Sequence, residues 1–392
     1  MRNVIRELID FNQGRDPERL AMKFARMSES PFAFLRGSCH LFYAQLPRAA
    51  VLRKAPLAWA CGDLHLENLG SYRGDNGQVY FDINDFDEAL RAPASWDLLR
   101  VLCSVHVARK TLGASKKEAN ALCALLLESY GRALADGKAR WVERETAQPP
   151  VRDLLVSADA SHQRNLIAAR TKKGRIKLDG KKALRASDRD HERVHALFDA
   201  LQKREQFGRV KVRDVARRVA GTGSLGLERW VVLVEAEGAR EQLLDLKIAT
   251  PAASVRFGPK LAQPAFRDDA LRIVGVQRRM QAIAMASLHA VKLARVPFVL
   301  RTLLPSEDRV KLASLEPKQV GNLLRTVAEC LAWDQLRSSG RDGSASADVL
   351  AAFGQDRSWR PELLALAVEC AAQVERDYDA FTRSLADGEL QP

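Results

Sequence analysis

Asp63, Asn68 and Asp85 lie in two short segments, CGDLHLENLG (61–70) and FDINDFDEA (81–89), whose residue types suit the handling of phosphorus-bearing groups. Such chemistry needs an acceptor for a substrate hydroxyl proton and hard oxygen ligands converging on one volume. Magnesium prefers carboxylate and amide oxygens and keeps several waters. Asp63 suits the first task, and Asn68, five residues on, offers an amide oxygen. Asp85 follows a short hairpin and precedes Phe86, and Asp87 stands beside it as a further metal candidate. His65, inside the first segment, is read as a site residue that supports the loop or touches phosphate. Taken alone the pattern is weak, because acidic residues in loops commonly cap helices or make turns.

A second segment, VAGTGSLGLERWVVLVEAEGAREQLLDLKIA (219–249), complements the first. Gly221, Gly223 and Gly226, with Thr222 and Ser224 between them, form a G-x-G-x-x-G, which is also the spacing of a dinucleotide-binding turn. That turn opens a helix, whereas here ERWVVLVEA follows, rich in β-branched and aromatic residues and bounded by a turn at Glu237-Gly238. The pattern predicts strand, glycine turn, strand, turn, strand, with Lys247 on the third strand. A glycine hairpin over phosphates and a Lys on the next strand make a nucleotide clamp. No G-K-[ST] is present, so a P-loop is not indicated. Glycines in a hairpin also serve simply to reach positive φ.

The two segments resemble the parts of a protein kinase: a catalytic Asp with Asn five residues later, a metal Asp before Phe, a glycine loop and a strand Lys. Their order is reversed, so the expected fold is an α+β, kinase-like two-lobed one in permuted order, with a small antiparallel sheet lobe and a large helical lobe. Permutation is tolerated where the new join spans exposed chain. The expected organisation is a helical lobe with both loops over 1–110, a helical linker with a basic hairpin over 111–205, a nucleotide-clamp sheet over 206–305, and closing helices of the first lobe over 306–392. With SPFAFLRG (30–37), SWDLLR (95–100) and AAQVERDYDAF (371–381), these motifs look like the bacterial family called domain of unknown function 2252, over nearly the whole chain. GDLHLEN also resembles the H-G-D-x-H-x-x-N loop of aminoglycoside and choline phosphotransferases. That resemblance implies a catalytic Asp63, metal ligands Asn68 and Asp85, and a structural Asp97.

Two departures stand out. Cys61 replaces the loop's His, and LRIVGVQRRMQAIAMASL (271–288) contains no carboxylate to hold the strand Lys. Gln277 and Gln281 are the nearest substitutes, so Lys247 is expected to lean toward Asp85. The resemblance implies a phosphotransferase with ATP and magnesium as cofactors and phosphates under Gly221–Gly226, moving a phosphoryl group to a hydroxyl of a small molecule. Rival readings are AMP transfer to a protein side chain, ATP binding without catalysis, and a basic nucleic-acid-binding protein.

Net charge is +13 over 392 residues, a balance that suits an anionic partner such as a nucleotide. The densest basic run, RTKKGRIKLDGKKALR (170–185), has no aromatic residue, which argues against base stacking and makes nucleic acid the less favoured partner. No apolar run reaches membrane-spanning length, so no membrane partner is expected. The six scattered cysteines contain no C-x-x-C, giving neither a zinc site nor a disulfide framework and suggesting a reducing cytoplasm. Residues 267–293 read as one helix, Asp82 as an outward strand residue, and Arg36 as reaching either a phosphate or a carboxylate.

Overall fold

The computed structural model describes residues 3–203, 209–236, 238, 240–305 and 307–390; the expected boundary at 205/206 and Glu237 of the expected turn lie outside these. Four short strands come first: β1 (Leu57–Ala60), β2 (Leu69–Arg73), β3 (Val79–Ile83) and β4 (Leu90–Pro93). β1 pairs antiparallel with β4 and β2 with β3. The β1–β2 connection is thus the loop of Asp63 and Asn68, and the β3–β4 connection carries Asp85 and Asp87.

A two-stranded hairpin follows, β5 (Thr171–Lys172) with β6 (Arg175–Ile176), turning at Lys173 and Gly174, both at positive φ. The main sheet is built from β7 (Ala183–Arg185), β8 (Val210–Arg218), β9 (Arg229–Ala236), β10 (Arg240–Ile248), β11 (Leu288–Leu293) and β12 (Val296–Thr302). Its order is β11-β12-β10-β9-β8-β7, with every pair antiparallel. The meander β8–β9–β10 is the expected strand, glycine turn, strand, turn, strand, and it forms the middle of a wider sheet.

Strand alternation divides the faces of that sheet. Leu244 and Leu246 on β10 join Trp230, Val232, Phe298 and Leu300 beneath the helix Asp188–Lys203, which contributes Val194, Leu197, Phe198 and Leu201. Trp230 stacks on Phe298 with centroids 5.6 Å apart. Each fully buried side chain of this size contributes roughly 1.5–3 kcal/mol. The intervening residues, Leu243, Asp245 and Lys247, face the other way. Leu243 packs with Leu233, Ala216 and Ile176, whereas Asp245 and Lys247 open onto a cavity.

The second, larger core is helical. The helix Ser95–Ala108 is buried along its whole length and packs against Lys116–Ala135 and Arg360–Ala386; Pro317–Arg337 packs on Lys116–Ala135 in turn.

Two sequence expectations change. The helix expected over 267–293 runs only from Asp269 to Met280, and residues 288–293 are β11. Apolar spacing beyond Met280 suits either state; pairing with β12, through a turn with Ala294 at φ 57°, decides it. Asp82 is buried, not outward: it accepts the N–H groups of Ile83 (2.9 Å) and Ala282 (3.1 Å) and lies 3.9 Å from Arg337. The helix Pro317–Arg337 covers that face of β3. Among the described residues, no helix is long and apolar enough to cross a membrane.

Candidate functional site

The loop 61–68 is held from below by one turn of the helix Ser95–Ala108. Asp97 accepts the backbone N–H groups of Cys61 (2.9 Å) and Gly62 (3.1 Å), and Arg100, three residues on, donates to Asp63 Oδ1 through Nε at 2.7 Å and also through Nη2. Both side chains are fully buried. Burial pushes the Asp97 carboxyl up to about 6 against the two N–H groups that oppose it. Burial likewise raises Asp63 above the usual carboxylate range, with Arg100 pulling the other way. Gly62 sits at φ +81°, and a Cβ there would lie 2.0 Å from the Glu88 carbonyl oxygen. No other residue type fits.

Asn68 clamps the two loops together. Its amide donates to the Asp63 carbonyl (2.8 Å), and its side-chain oxygen accepts the Asp85 N–H (3.0 Å). His65 is buried, and its Nδ1 accepts the Glu67 N–H at 3.1 Å. Burial, then the nearby Arg36 and Arg100, hold its ring well below the ordinary pKa and therefore neutral. Arg36 pairs with Glu67 at 2.5 Å, taking the carboxylate rather than standing free for a phosphate. Arg309 lies 3.5 Å from the same Glu67.

On the sheet side, Lys247 forms an ion pair with Asp87, not with Asp85 as the sequence suggested. Asp85 is close enough to respond: enclosure pulls its carboxyl up, and Lys247 then brings it below the usual range, while enclosure and Asp85 keep Asp87 above. The helix Asp269–Met280 puts no carboxylate on Lys247: its acidic residue, Asp269, pairs with Arg272 at 2.9 Å. Gln277 donates to Gln281 (3.2 Å), and Gln281 donates to the Ile83 carbonyl (2.7 Å). Arg272 of that helix instead holds the loop backbone, donating to the carbonyls of Asp87 (3.0 Å) and Ala89 (2.7 Å).

The glycine loop between β8 and β9 is tied down by its carbonyls. Arg15 donates to Gly223 and Leu225, both at 2.7 Å, Lys23 to Gly223 at 3.3 Å and Arg26 to Gly221 at 3.2 Å. Among the described residues, the N–H groups of Gly221, Thr222, Gly223 and Ser224 have no protein partner. A run of free N–H groups with carbonyls turned away forms an anion-binding concavity.

These elements enclose one cavity of about 600 Å3. Asp63, His65, Asn68, Asp85, Asp87, Gly221, Thr222, Gly223, Ser224 and Lys247 all line it. Gly226 does not; its φ of +87° and its closeness to Arg15 give it a structural role in the turn. Sequence reasoning missed Arg100, Glu88 and the cluster around Asp245. Glu88 lines the cavity, accepts the Ala253 N–H, and is pushed up to about 7, mainly by burial and then by Asp63 and Asp87. The density of carboxylates in FDINDFDEA was the available signal.

Residues 15–384 match the family model described as an uncharacterized protein conserved in bacteria, DUF2252, and the chain belongs to that family. No curated protein and no solved structure matches the chain.

Proposed function

We propose that the protein is an ATP- and magnesium-dependent transferase of the phosphotransferase type, kinase-like and two-lobed with its motifs in permuted order, which moves a phosphorus-bearing group to a hydroxyl of a small molecule. The observation that carries this is the shared cavity: Asp63, Asn68, Asp85 and Asp87 enter from the helical side, and Lys247 and the free N–H groups of the glycine loop enter from the sheet.

The residues present suit magnesium. Asp85 is exposed to the cavity and Asp87 is beside it, with the Asn68 oxygen adjoining. Among the described residues no three His, Cys, Asp or Glu gather as a complete ligand set. That fits an ion bound through one or two carboxylates, with the remaining positions left to phosphate oxygens and water. Such an ion would neutralise phosphate charge. Asp63, fixed by Arg100 and raised by burial, orients the acceptor hydroxyl and takes its proton. The glycine loop holds phosphate oxygens, and Lys247 exchanges Asp87 for phosphate when the nucleotide enters. Catalysis then comes from positioning and charge neutralisation.

The test is binding of ATP followed by melting temperature or calorimetry, with and without magnesium. ATP should stabilise the protein in a magnesium-dependent way. Asp85→Ala should remain folded and lose that dependence, weakening binding roughly tenfold or more, the scale of a charged contact. A folded Asp85→Ala with unchanged magnesium dependence removes Asp85 from the metal site.

A further inference from the structure

The cavity differs chemically from end to end. At the sheet end Asp245, 1% exposed, is ringed by three arginines. Arg229 Nη2 lies at 2.6 Å and Arg301 Nε at 3.2 Å, and Arg218 is ion-paired to the same oxygen. Arg301 also reaches Glu307 at 3.1 Å. Asp245 stands two residues before Lys247 on the same face of β10, and Arg301 is its register partner on β12. Three guanidiniums against two carboxylates leave this end positive, and the groups gathered there offer no aromatic face.

From there the wall runs through Lys247 and its partner Asp87 to Glu88, to Ala253 whose N–H Glu88 accepts, and on to Phe257. At that far end the Phe11 ring is already stacked on His40, centroids 3.8 Å apart, with Arg15 over it at 5.1 Å. Phe257 meets it edge to face at 5.7 Å, and the exposed Arg256 lies over the Phe257 ring at 5.1 Å, leaving Phe257 and Arg256 as the stacking surface. Phe11, Phe257 and Arg256 line the cavity.

A nucleoside triphosphate has the same asymmetry: a planar base at one end and a polyanion at the other. Guanidiniums bind phosphates through charge-assisted hydrogen bonds, whereas bases stack on rings and on guanidinium planes. A base pushed to the sheet end would meet an ion cluster with no apolar face to stack on.

We infer that the nucleotide lies with its terminal phosphates toward the Asp245–arginine cluster and its base toward Phe257, so that the α-phosphorus faces Asp63. This deepens, and rests on, the reading of the cavity as a nucleotide site. The transferred group is then a nucleotidyl group. The acceptor oxygen bonds to the α-phosphorus as the bond from that phosphorus to the α–β bridging oxygen breaks. Pyrophosphate leaves with the electron pair, and the acceptor proton goes to the Asp63 carboxylate.

The experiment compares the affinities of ATP, ADP and AMP for the full chain with magnesium present. Arg301→Ala is expected to weaken ATP roughly ten- to hundredfold, the worth of a charged hydrogen bond, and to leave AMP within about twofold. Phe257→Ala should weaken all three alike. Because Arg301 also balances Asp245, its fold is checked by melting, and Arg218→Lys, which keeps the charge but loses the planar fork, should reproduce the same ladder. Equal weakening of all three nucleotides by Arg301→Ala overturns the orientation. In slow turnover with water as acceptor, AMP with pyrophosphate supports it; ADP with phosphate overturns it and leaves the proposed transferase standing. Failure of the wild type to bind any of the three overturns the nucleotide site itself, and the orientation with it.

Discussion

Asp97 and Arg100 show how much of the geometry of the 61–68 loop is decided outside it. Asp63 is oriented by an arginine on the next helix, and the backbone leading to it hangs from an aspartate on the same turn. The raised Asp97 carboxyl, about 6 against 3.8 in an unfolded chain, has a thermodynamic consequence. The folded protein binds this proton more tightly than the unfolded chain does. The associated stability is therefore complete below about pH 4 and is lost as pH rises through 6. Asp97→Asn removes that titration and adds a constant offset for one altered hydrogen bond. Denaturant unfolding from pH 4 to 7 should show wild type losing at most about 3 kcal/mol relative to the variant. A parallel pair of curves would mean that Asp97 does not titrate in this window. Asp97 was legible through its resemblance to a structural aspartate. Arg100 was not, since an arginine three residues along a buried helix has no local mark; only the helix's packing under the loop turns it toward Asp63.

At the scale of elements, the glycines separate conformational need from contact. Gly62 and Gly77 have nearly the same dihedral, φ +81° and +82°, but a Cβ at Gly77 meets nothing within 4 Å while one at Gly62 strikes the Glu88 backbone. Gly77→Ala should cost about 1–2 kcal/mol, the left-handed penalty alone. Gly62→Ala should cost several kcal/mol and weaken the ATP binding proposed above, because the loops 61–68 and 84–89 must separate. Similar losses from the two variants would deny the close approach. The β8–β9–β10 meander was readable because β-branched runs, a glycine turn and a strand Lys agree locally. The helix end at Met280 was not, because pairing of β11 with β12 overrides an apolar spacing that suits both states. Asp82 failed similarly: strand alternation alone sends it outward, and the helix that covers it comes more than two hundred residues later.

For the molecule as a whole, the six cysteines report on closure. All are free and buried, and burial raises every one of their thiols, with Cys39 at the cavity wall, Cys61 at the start of the 61–68 loop and the other four on packed helices. A thiol reagent at neutral pH should find almost no reactive group in the native protein and six after unfolding. If Cys39 reacts first, magnesium–ATP should slow it, since its sulfur shares the cavity. Rapid labelling of several cysteines in the native state would contradict the packing of the helical core. The tie between Arg15 and the glycine loop has a different consequence, one of time. The bonded groups are 208 residues apart. At roughly 5–20 residues per second of synthesis, the first helices wait about 10–40 s for the loop they hold. Through that interval Arg15, Lys23 and Arg26 lack the glycine-loop carbonyls, and this wall of the cavity is fastened only once more than half of the 392 residues have been made.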